Sequence, residues 1–158
     1  MIRLFLLCLV FTGCSTIPAR VVPGVTPSPT PLPPPPLVVP QAPSSSETCI
    51  VISLPQQHAW LFKHGEVFCD SPVCTGRAAL PTPTGRFHVI DKERDWTSTL
   101  YHVPMPYLLR LNASNGEIGI HQGFIASRPS SHGCIRLPRD KAPVFFEATP
   151  IDSLVLIE

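Results

Sequence analysis

From residue 48 onwards, apolar and polar positions alternate over short stretches, which is the pattern typical of β-strands. Residues 49–54 (CIVISL) and 58–63 (HAWLFK) are rich in β-branched and aromatic side chains. His64 and Gly65 follow as a two-residue turn signal, and a return strand begins at Glu66. The pattern therefore predicts a β-meander at the start of this region.

Three further strands are predicted by short apolar or alternating runs, at residues 86–90, 117–121 and 153–158. Only residues 138–149 (PRDKAPVFFEAT) have a helical pattern, with an apolar face and a proline, Pro143, that a first helical turn tolerates. These elements predict a mainly β fold, either a β-sandwich or a partly closed barrel, with one C-terminal helix.

The composition of the chain changes twice. Residues 1–13 carry one basic residue within an apolar run, IRLFLLCLVF, which is too short to span a bilayer and is typical of a signal peptide. Residues 14–47 are so rich in proline that an extended spacer is expected, with a reach of up to about 100 Å at roughly 3 Å per residue. Residues 48–158 are long enough for one hydrophobic core and predict a single globular domain.

The segment FTGCS resembles a bacterial lipobox, whose cysteine becomes the lipidated first residue of the mature protein. The resemblance implies lipidation of Cys14, and Ser15 after it favours export to the outer membrane. Phe11 stands where the lipobox prefers leucine, and plain cleavage near Cys14 is the alternative. We expect a periplasmic protein of the cell envelope, anchored to the outer membrane through a lipid on Cys14.

The charge of the chain bears on its partners. The formal net charge is +1, and no run of basic residues forms a clustered positive stretch. Nucleic acid or a polybasic contact with a membrane surface requires such a cluster. We therefore expect no nucleic-acid partner.

Export into an oxidising compartment makes a disulfide possible within the folded domain. Cys69 and Cys74 are the candidate pair. Five residues apart on a continuous strand they point to opposite faces, so a bridge between them needs a turn, which Pro72 is placed to supply. The pairing stays open at this point, and Cys49 is expected to be buried and inert.

The stretch SHGCIR places Cys134 two residues after His132, with Gly133 between them. A nucleophilic thiolate needs a basic partner, nearby backbone N–H groups and a glycine that lets the main chain approach the substrate. His121, at the end of a predicted strand and separated from Cys134 by a loop, is placed to be that base across a cleft. The alternative is a zinc ion held by His121, His132 and Cys134, which no fourth ligand or CxxC spacing supports.

The segments GIHQGF and RPSSHGCIRL together resemble the signature of the bacterial L,D-transpeptidase catalytic domain. HAWLF, PTPTGRF, MPY and the terminal helix and strand also follow the order of that family, so residues 48–158 are the expected catalytic domain. The resemblance implies a β-rich fold, no cofactor or metal, a nucleophile at Cys134 and a proton donor and acceptor at His121. It also implies a pocket shaped by four further residues of the motif: Ser131, His132, Gly133 and Arg136.

In this family the donor substrate is a peptidoglycan stem tetrapeptide, cut between the L-centre of its third residue and the terminal D-Ala. Cys134 is then expected to form a thioester and to release D-Ala, after which an amine from another stem or from an envelope protein attacks. The backbone N–H groups of Gly133 and Cys134 are the expected oxyanion hole, a device typically worth about 3 kcal/mol of barrier. The alternatives are an L,D-carboxypeptidase or hydrolase of the same bonds, and a non-catalytic peptidoglycan-binding module.

Four side chains near the motif have two interpretations each. Arg136 meets a substrate carboxylate or makes structural ion pairs and hydrogen bonds, and His132 contacts the substrate or braces the turn. Tyr107 and Trp96 line the substrate groove or belong to the core. Gln122 stands where the family often has Gly or Ser, and the loop after it is shorter than in many members, which affects the width of the acceptor channel.

Overall fold

The computed structural model describes residues 35–43, 47–114 and 118–158. The predicted signal peptide, the predicted lipidation site at Cys14, most of the Pro-rich segment and Glu117 lie outside the described residues. The elements of the described part follow in the order β1 (Thr48–Ser53), β2 (His58–Lys63), β3 (Glu66–Pro72), β4 (Gly85–Thr97), β5 (Pro104–Leu111), β6 (Gly119–Gln122), β7 (Ile135–Leu137), α1 (Ala142–Ala148) and β8 (Leu154–Ile157). This part of the chain contains no helix that is both long and apolar enough to cross a membrane.

The first three strands form the predicted antiparallel meander, and β2 has the predicted bounds. His64 and Gly65 make the turn between β2 and β3, with φ angles of 51° and 84°. Two consecutive residues in the left-handed region are what a two-residue hairpin turn requires, because that twist matches the twist of the flanking strands.

The strands form one mixed sheet in the order β3-β2-β1-β8-β4-β5-β6-β7. Neighbouring strands are antiparallel except for the pairs β1–β8 and β6–β7, which are parallel. The sheet is open, but an isolated bridge joins Cys74, just beyond the edge strand β3, to Arg136 in the other edge strand. The sheet therefore curls around a single core, and the predicted mainly β class with one C-terminal helix is confirmed.

Side chains alternate between the two faces of β1 and β2. On the inner face, Ile50 and Leu61 join the main core, to which α1 contributes Phe145 and Phe146. Burial of such a side chain contributes about 1.5–3 kcal/mol to stability. The outer face carries a smaller apolar group, called here the outer cluster: Cys49, Val51, Trp60, Phe62 and Leu154. As predicted, Cys49 is buried, and burial raises the pKa of its thiol.

The hydrophobic pattern does not predict β5 or β7, and it places only the first part of β4. β5 contains Pro104 and Pro106, which argue against a strand because proline cannot donate to a ladder. Both prolines pair with β4 alone, since β6 reaches only Leu109 and Arg110 of β5. The backbone N–H groups that the two prolines lack therefore remove no hydrogen bonds to a second neighbouring strand.

The helix α1 begins later than the sequence predicts. The carbonyl of Pro138 accepts hydrogen bonds from the N–H groups of Lys141 and Ala142, so a turn occupies the predicted first residues. Pro143 lies in the first turn of α1, as expected.

Candidate active site

The parallel strands β6 and β7 set the geometry of the site. Ile120 lies opposite Ile135, and both side chains point into the main core. The next pair, His121 and Arg136, therefore points to the other side of the sheet. Cys134 precedes Arg136 by two residues on the turn that enters β7, so we infer that its thiol lies on the side of His121. The register thus supports the predicted pairing of the histidine with the cysteine.

The imidazole of His121 is buried and has a defined tautomer. Its Nδ1 lies 2.7 Å from the carbonyl oxygen of Gln122, which only accepts, so Nδ1 carries the proton and Nε2 keeps a lone pair. Burial lowers the pKa of His121, and the positive charge of Arg136 lowers it further, against the opposite effect of the hydrogen bond to Gln122. A neutral imidazole near pH 7 is therefore able to accept a proton at Nε2.

Ser131 organises the turn from within. Its hydroxyl donates to the carbonyl oxygen of Cys134 over 2.5 Å and accepts from the N–H of Gly133 over 3.1 Å. Only 1% of Ser131 is exposed, so it shapes the turn and does not meet the substrate. The same bonds correct the predicted oxyanion hole, because the N–H of Gly133 is already engaged by the Ser131 hydroxyl.

The backbone conformation at position 133 requires glycine. Its φ of +119° is one that L side chains rarely adopt, and a Cβ there would lie 2.9 Å from Cδ1 of Ile118. The carbonyl oxygen of Gly133 accepts from the hydroxyl of Thr82 over 2.7 Å, and that hydroxyl accepts from the N–H of Gly76 over 2.8 Å. The buried Thr82, which lies in the PTPTGRF segment, was not identified as a site residue from the sequence.

The chain that follows β3 supports the Cys134 turn through its backbone. The N–H groups of Ser130 and Ser131 both donate to the carbonyl oxygen of Thr75 over 3.0 Å. The N–H of Arg77 donates to the carbonyl oxygen of Ser131 over 3.1 Å. Cys74 and Arg136 exchange two backbone hydrogen bonds, of 3.1 and 3.0 Å. The turn is thereby fixed on both sides of Cys134.

The predicted disulfide between Cys69 and Cys74 is not formed, and both residues are thiols. Sγ of Cys69 lies 3.8 Å from Nζ of Lys141, whereas Sγ of Cys74 lies 3.2 Å from Oγ of Ser130. The two sulfurs therefore have different neighbours. Burial raises the pKa of the Cys74 thiol, but the hydrogen bonds at Ser130 and the charge of Arg136 lower it by more.

His132 is exposed and contacts a residue that sequence reasoning missed. Its ring centroid lies 4.7 Å from that of Tyr101, with an angle of 33° between the rings. Tyr101 belongs to the hairpin tip, defined as residues 98–103, which joins β4 to β5. The aromatic residues near MPY were a usable signal, but without β5 the sequence did not reveal that Tyr101 sits on a hairpin.

Tyr107 contacts the helix and strand β4. Its ring packs edge-on against Phe146 at 5.7 Å, and Cζ of Arg94 lies 5.5 Å from the ring centroid. Tyr107 also packs against the main core, which fits its alternative role as a core residue, and its predicted contact with the substrate stays a prediction. The ring of Trp96 lies 4.9 Å from Cζ of Arg110, on the β4–β5 hairpin.

Arg136 packs its aliphatic stem against Gly123, where a Cβ would approach Cδ of Arg136 to 2.9 Å. Within the described residues, no carboxylate lies within 4.0 Å of its guanidinium. The alternative of a structural ion pair therefore has no support in this part of the chain.

A metal site has no geometric support either. In the part of the chain that the structure describes, no three His, Cys, Asp or Glu residues are grouped so that they could hold a metal ion.

Comparisons with known proteins agree with this geometry. Residues 47–157 match the model of the YkuD family, the L,D-transpeptidase catalytic domain. L,D-transpeptidase 1 of Mycobacterium tuberculosis (strain ATCC 25618 / H37Rv) is 30% identical over 108 residues, which are 56% of this chain and 41% of the relative. The chain thus spans less than half the length of this curated relative.

Two solved structures extend the likeness. The L,D-transpeptidase of Stackebrandtia nassauensis has a TM-score of 0.68 and 24% identity, over 75% of this chain and 58% of that one, and shows a shared fold. An L,D-transpeptidase in complex with imipenem has a TM-score of 0.63 and 25% identity, over 72% of this chain and 59% of that one. Since the family model covers most of the chain, the protein belongs to the L,D-transpeptidase catalytic-domain family.

Proposed function

We propose that the protein is a peptidoglycan L,D-transpeptidase in which Cys134 is the nucleophile and His121 transfers the proton. One observation supports the proposal: His121 pairs in register with Arg136, two residues after Cys134, and Gln122 holds Nδ1 of His121 and leaves Nε2 to accept. Membership of the family supports the same assignment.

In the first half-reaction, Nε2 of His121 takes the proton of the Cys134 thiol, and the thiolate attacks the carbonyl carbon of the third stem residue. The C–N bond to the terminal D-Ala then breaks, and His121 returns the proton to the departing amine nitrogen. A thioester remains on Cys134, and the lowered pKa of His121 suits both proton transfers near neutral pH.

In the second half-reaction, the amine of an acceptor attacks the thioester carbon and loses a proton to His121. The sulfur leaves and regains a proton from the imidazolium, so the enzyme returns to its starting state. The acceptor is a second stem peptide or an amine of an envelope protein. The guanidinium of Arg136, which has no carboxylate partner among the described residues, meets a carboxylate of the donor stem.

The test is the release of D-Ala from purified stem tetrapeptides, followed by mass analysis of the products. Cys134→Ala is expected to abolish release and thioester formation while the protein stays folded, because it removes the proposed nucleophile. Cys69→Ala is the matched control, since it removes a second partly exposed thiol and should leave turnover unchanged. Release of D-Ala by the Cys134→Ala protein would refute the assignment.

A covalent probe examines the same thiol without the natural substrate. We expect a carbapenem to acylate Cys134, since a relative of this fold has been solved in complex with imipenem. Intact-protein mass spectrometry should show one adduct, mapped to the peptide that contains SSHGCIR. An adduct of equal yield in Cys134→Ala would show that another group reacts.

The cellular location is a separate proposal, which rests on the FTGCS segment. Lipidation of Cys14 would anchor the protein to the outer membrane on its periplasmic side. Cys14→Ser should release the protein from membrane fractions without changing its activity on soluble muropeptides. Equal membrane association of the two forms would mean that Cys14 is not the anchor.

A further inference from the structure

The last part of the Pro-rich segment makes specific contacts with the catalytic domain. The side-chain amide of Gln56, in the turn between β1 and β2, accepts from the N–H of Val38 over 2.7 Å and donates to the carbonyl oxygen of Val38 over 3.1 Å. The Gln56 side chain thus satisfies both backbone groups of one residue, as a neighbouring β-strand would. Pairing of this kind needs a backbone N–H, which Val38 has and the prolines of the segment lack.

A second contact lies four residues further along the same segment. Ala42 packs against the outer cluster on β1, β2 and β8. Pro40, Ala42 and Pro43 are half-buried, whereas Gln41 between them is exposed. A groove between this segment and the β2–β3 hairpin is lined by residues of both, with Phe62 on the side of the domain. One edge of the segment therefore faces apolar side chains and the other faces solvent.

We propose that the outer cluster is a docking surface for the chain's own residues 36–43, which we call the strap. Extended proline-rich chains bind aromatic surfaces at low entropic cost, because their conformation is largely preformed. Trp60 and Phe62 supply the aromatic surface, and Gln56 fixes the register of the strap by holding Val38. The docking involves no residue of the candidate active site.

The strap shortens the spacer. If Cys14 carries the proposed lipid, the spacer expected from the sequence ends near residue 35, where the strap begins. An extended segment of that length, about 20 residues at roughly 3 Å each, would reach about 60 Å, in place of the roughly 100 Å expected for the whole Pro-rich segment. This consequence rests on the proposed anchor, whereas docking of the strap does not.

Hydrogen exchange tests the docking directly. The measured quantity is the exchange rate of the Val38 amide in the whole protein, compared with an isolated peptide of residues 35–43. In the protein we expect exchange to be slower by about tenfold or more, because Gln56 holds that amide. Gln56→Ala should restore the rate of the peptide, while the amides of β1 and β2 stay protected.

A matched pair of substitutions within the strap leaves the domain itself unaltered. Ala42→Asp places a carboxylate against the outer cluster and should release the strap, so that Val38 exchanges at the rate of a peptide with the same substitution. Gln41→Asp adds the same charge at the neighbouring exposed position and should keep Val38 protected. Unprotected Val38 in the unmodified protein, or equal loss of protection in both variants, would overturn the proposal. Enzymatic activity is not measured, so these outcomes are independent of the proposed function.

Discussion

The turn that carries Cys134 and the hairpin tip that reaches His132 are held in opposite ways. Hydrogen bonds from Ser131 and Thr82 fix the turn from within and from the preceding loop. The hairpin tip is tied mainly to itself, since Ser98 and Val103 share a backbone hydrogen bond of 2.9 Å and the hydroxyl of Ser98 accepts from Tyr101. Its aromatic contact with the turn is the ring pair of Tyr101 and His132.

The difference separates two tasks of one site. A nucleophile must keep its position to within a fraction of an ångström of a productive geometry, and displacement by about 1 Å can cost about 10²-fold in rate. The hydrogen-bonded turn, in which Ser131 and Gly133 are buried, is suited to hold the proposed nucleophile in this way. A hairpin tip with Leu100 72% exposed and Tyr101 43% exposed has few contacts to hold it, so it is suited to adjust to a bound peptide. Substitutions in the turn should therefore affect the chemical step, and substitutions in the tip should affect binding.

The largest effect is expected from Gly133→Ala. The new Cβ meets Ile118 and the backbone retains a left-handed φ of +119°, so the turn must shift and move Cys134 relative to His121. We expect kcat to fall by about 10²-fold or more. Stability should fall by about 1–3 kcal/mol. Release of D-Ala and thermal unfolding measure the two effects.

The control for Gly133→Ala is Gly65→Ala, in the β2–β3 turn. Gly65 also has a positive φ, of +84°, but a Cβ there has no neighbour within 4 Å. The Gly65→Ala protein should be somewhat less stable and should keep its kcat. Equal losses of rate in both variants would show that general destabilisation, and not displacement of Cys134, explains the effect.

Thr82→Val tests the support of the turn with less disturbance. Valine has a similar shape but leaves the carbonyl of the buried Gly133 and the N–H of Gly76 without their hydroxyl partner. An unsatisfied buried group costs about 1–3 kcal/mol, so the unfolding free energy should fall by about that amount. Turnover should fall by less than in Gly133→Ala. Thr82→Ser, which keeps the hydroxyl, should restore most of both quantities, and failure of Ser to do so would contradict the role of the hydroxyl.

Arg136→Gln tests the turn and its neighbour His121 through the pH dependence of activity. The proposed mechanism needs neutral His121, so activity on the acid side should rise as pH increases through the pKa of His121. Burial and the charge of Arg136 both lower that pKa. Removal of the charge should raise the pKa and move the acid limb of the kcat/KM profile to higher pH.

Arg139→Gln is the control for this profile, since Arg139 is exposed beyond β7 and does not contribute to the pKa of His121. If the acid limb of the kcat/KM profile does not move in Arg136→Gln, the charge of Arg136 does not lower the pKa of His121. A loss of activity that is equal at all pH values would indicate only the proposed contact with a substrate carboxylate.

The two regions also differ in how far the sequence predicts them. SHGC and the strand-end His121 predict the proposed chemistry, because a thiolate and a base leave a local pattern of residues. The hydrogen bonds of Thr82 depend on a chain reversal that brings residue 82 beside residue 133, and no local pattern encodes that contact. The sequence does not predict the hairpin tip for a related reason. Pro104 and Pro106 argue against a strand, but over these residues β5 pairs only with β4 and the prolines are tolerated. Tertiary pairing overrides propensity at both places.

The smallest effect is expected from Tyr101→Ala in the hairpin tip. The substitution removes the ring that stacks on His132 and leaves the hydrogen bonds of the turn in place. A ring pair of this kind contributes about 0.5–1.5 kcal/mol, so the melting temperature should fall slightly; if the pair holds His132 where a peptide binds, KM should rise by at most roughly 2–12-fold, with kcat little changed. Leu100→Ala is the matched control, because Leu100 lies beside Tyr101 and is more exposed. A fall in kcat comparable with that of Thr82→Val would place Tyr101 with the rigid turn and remove the distinction between the two regions.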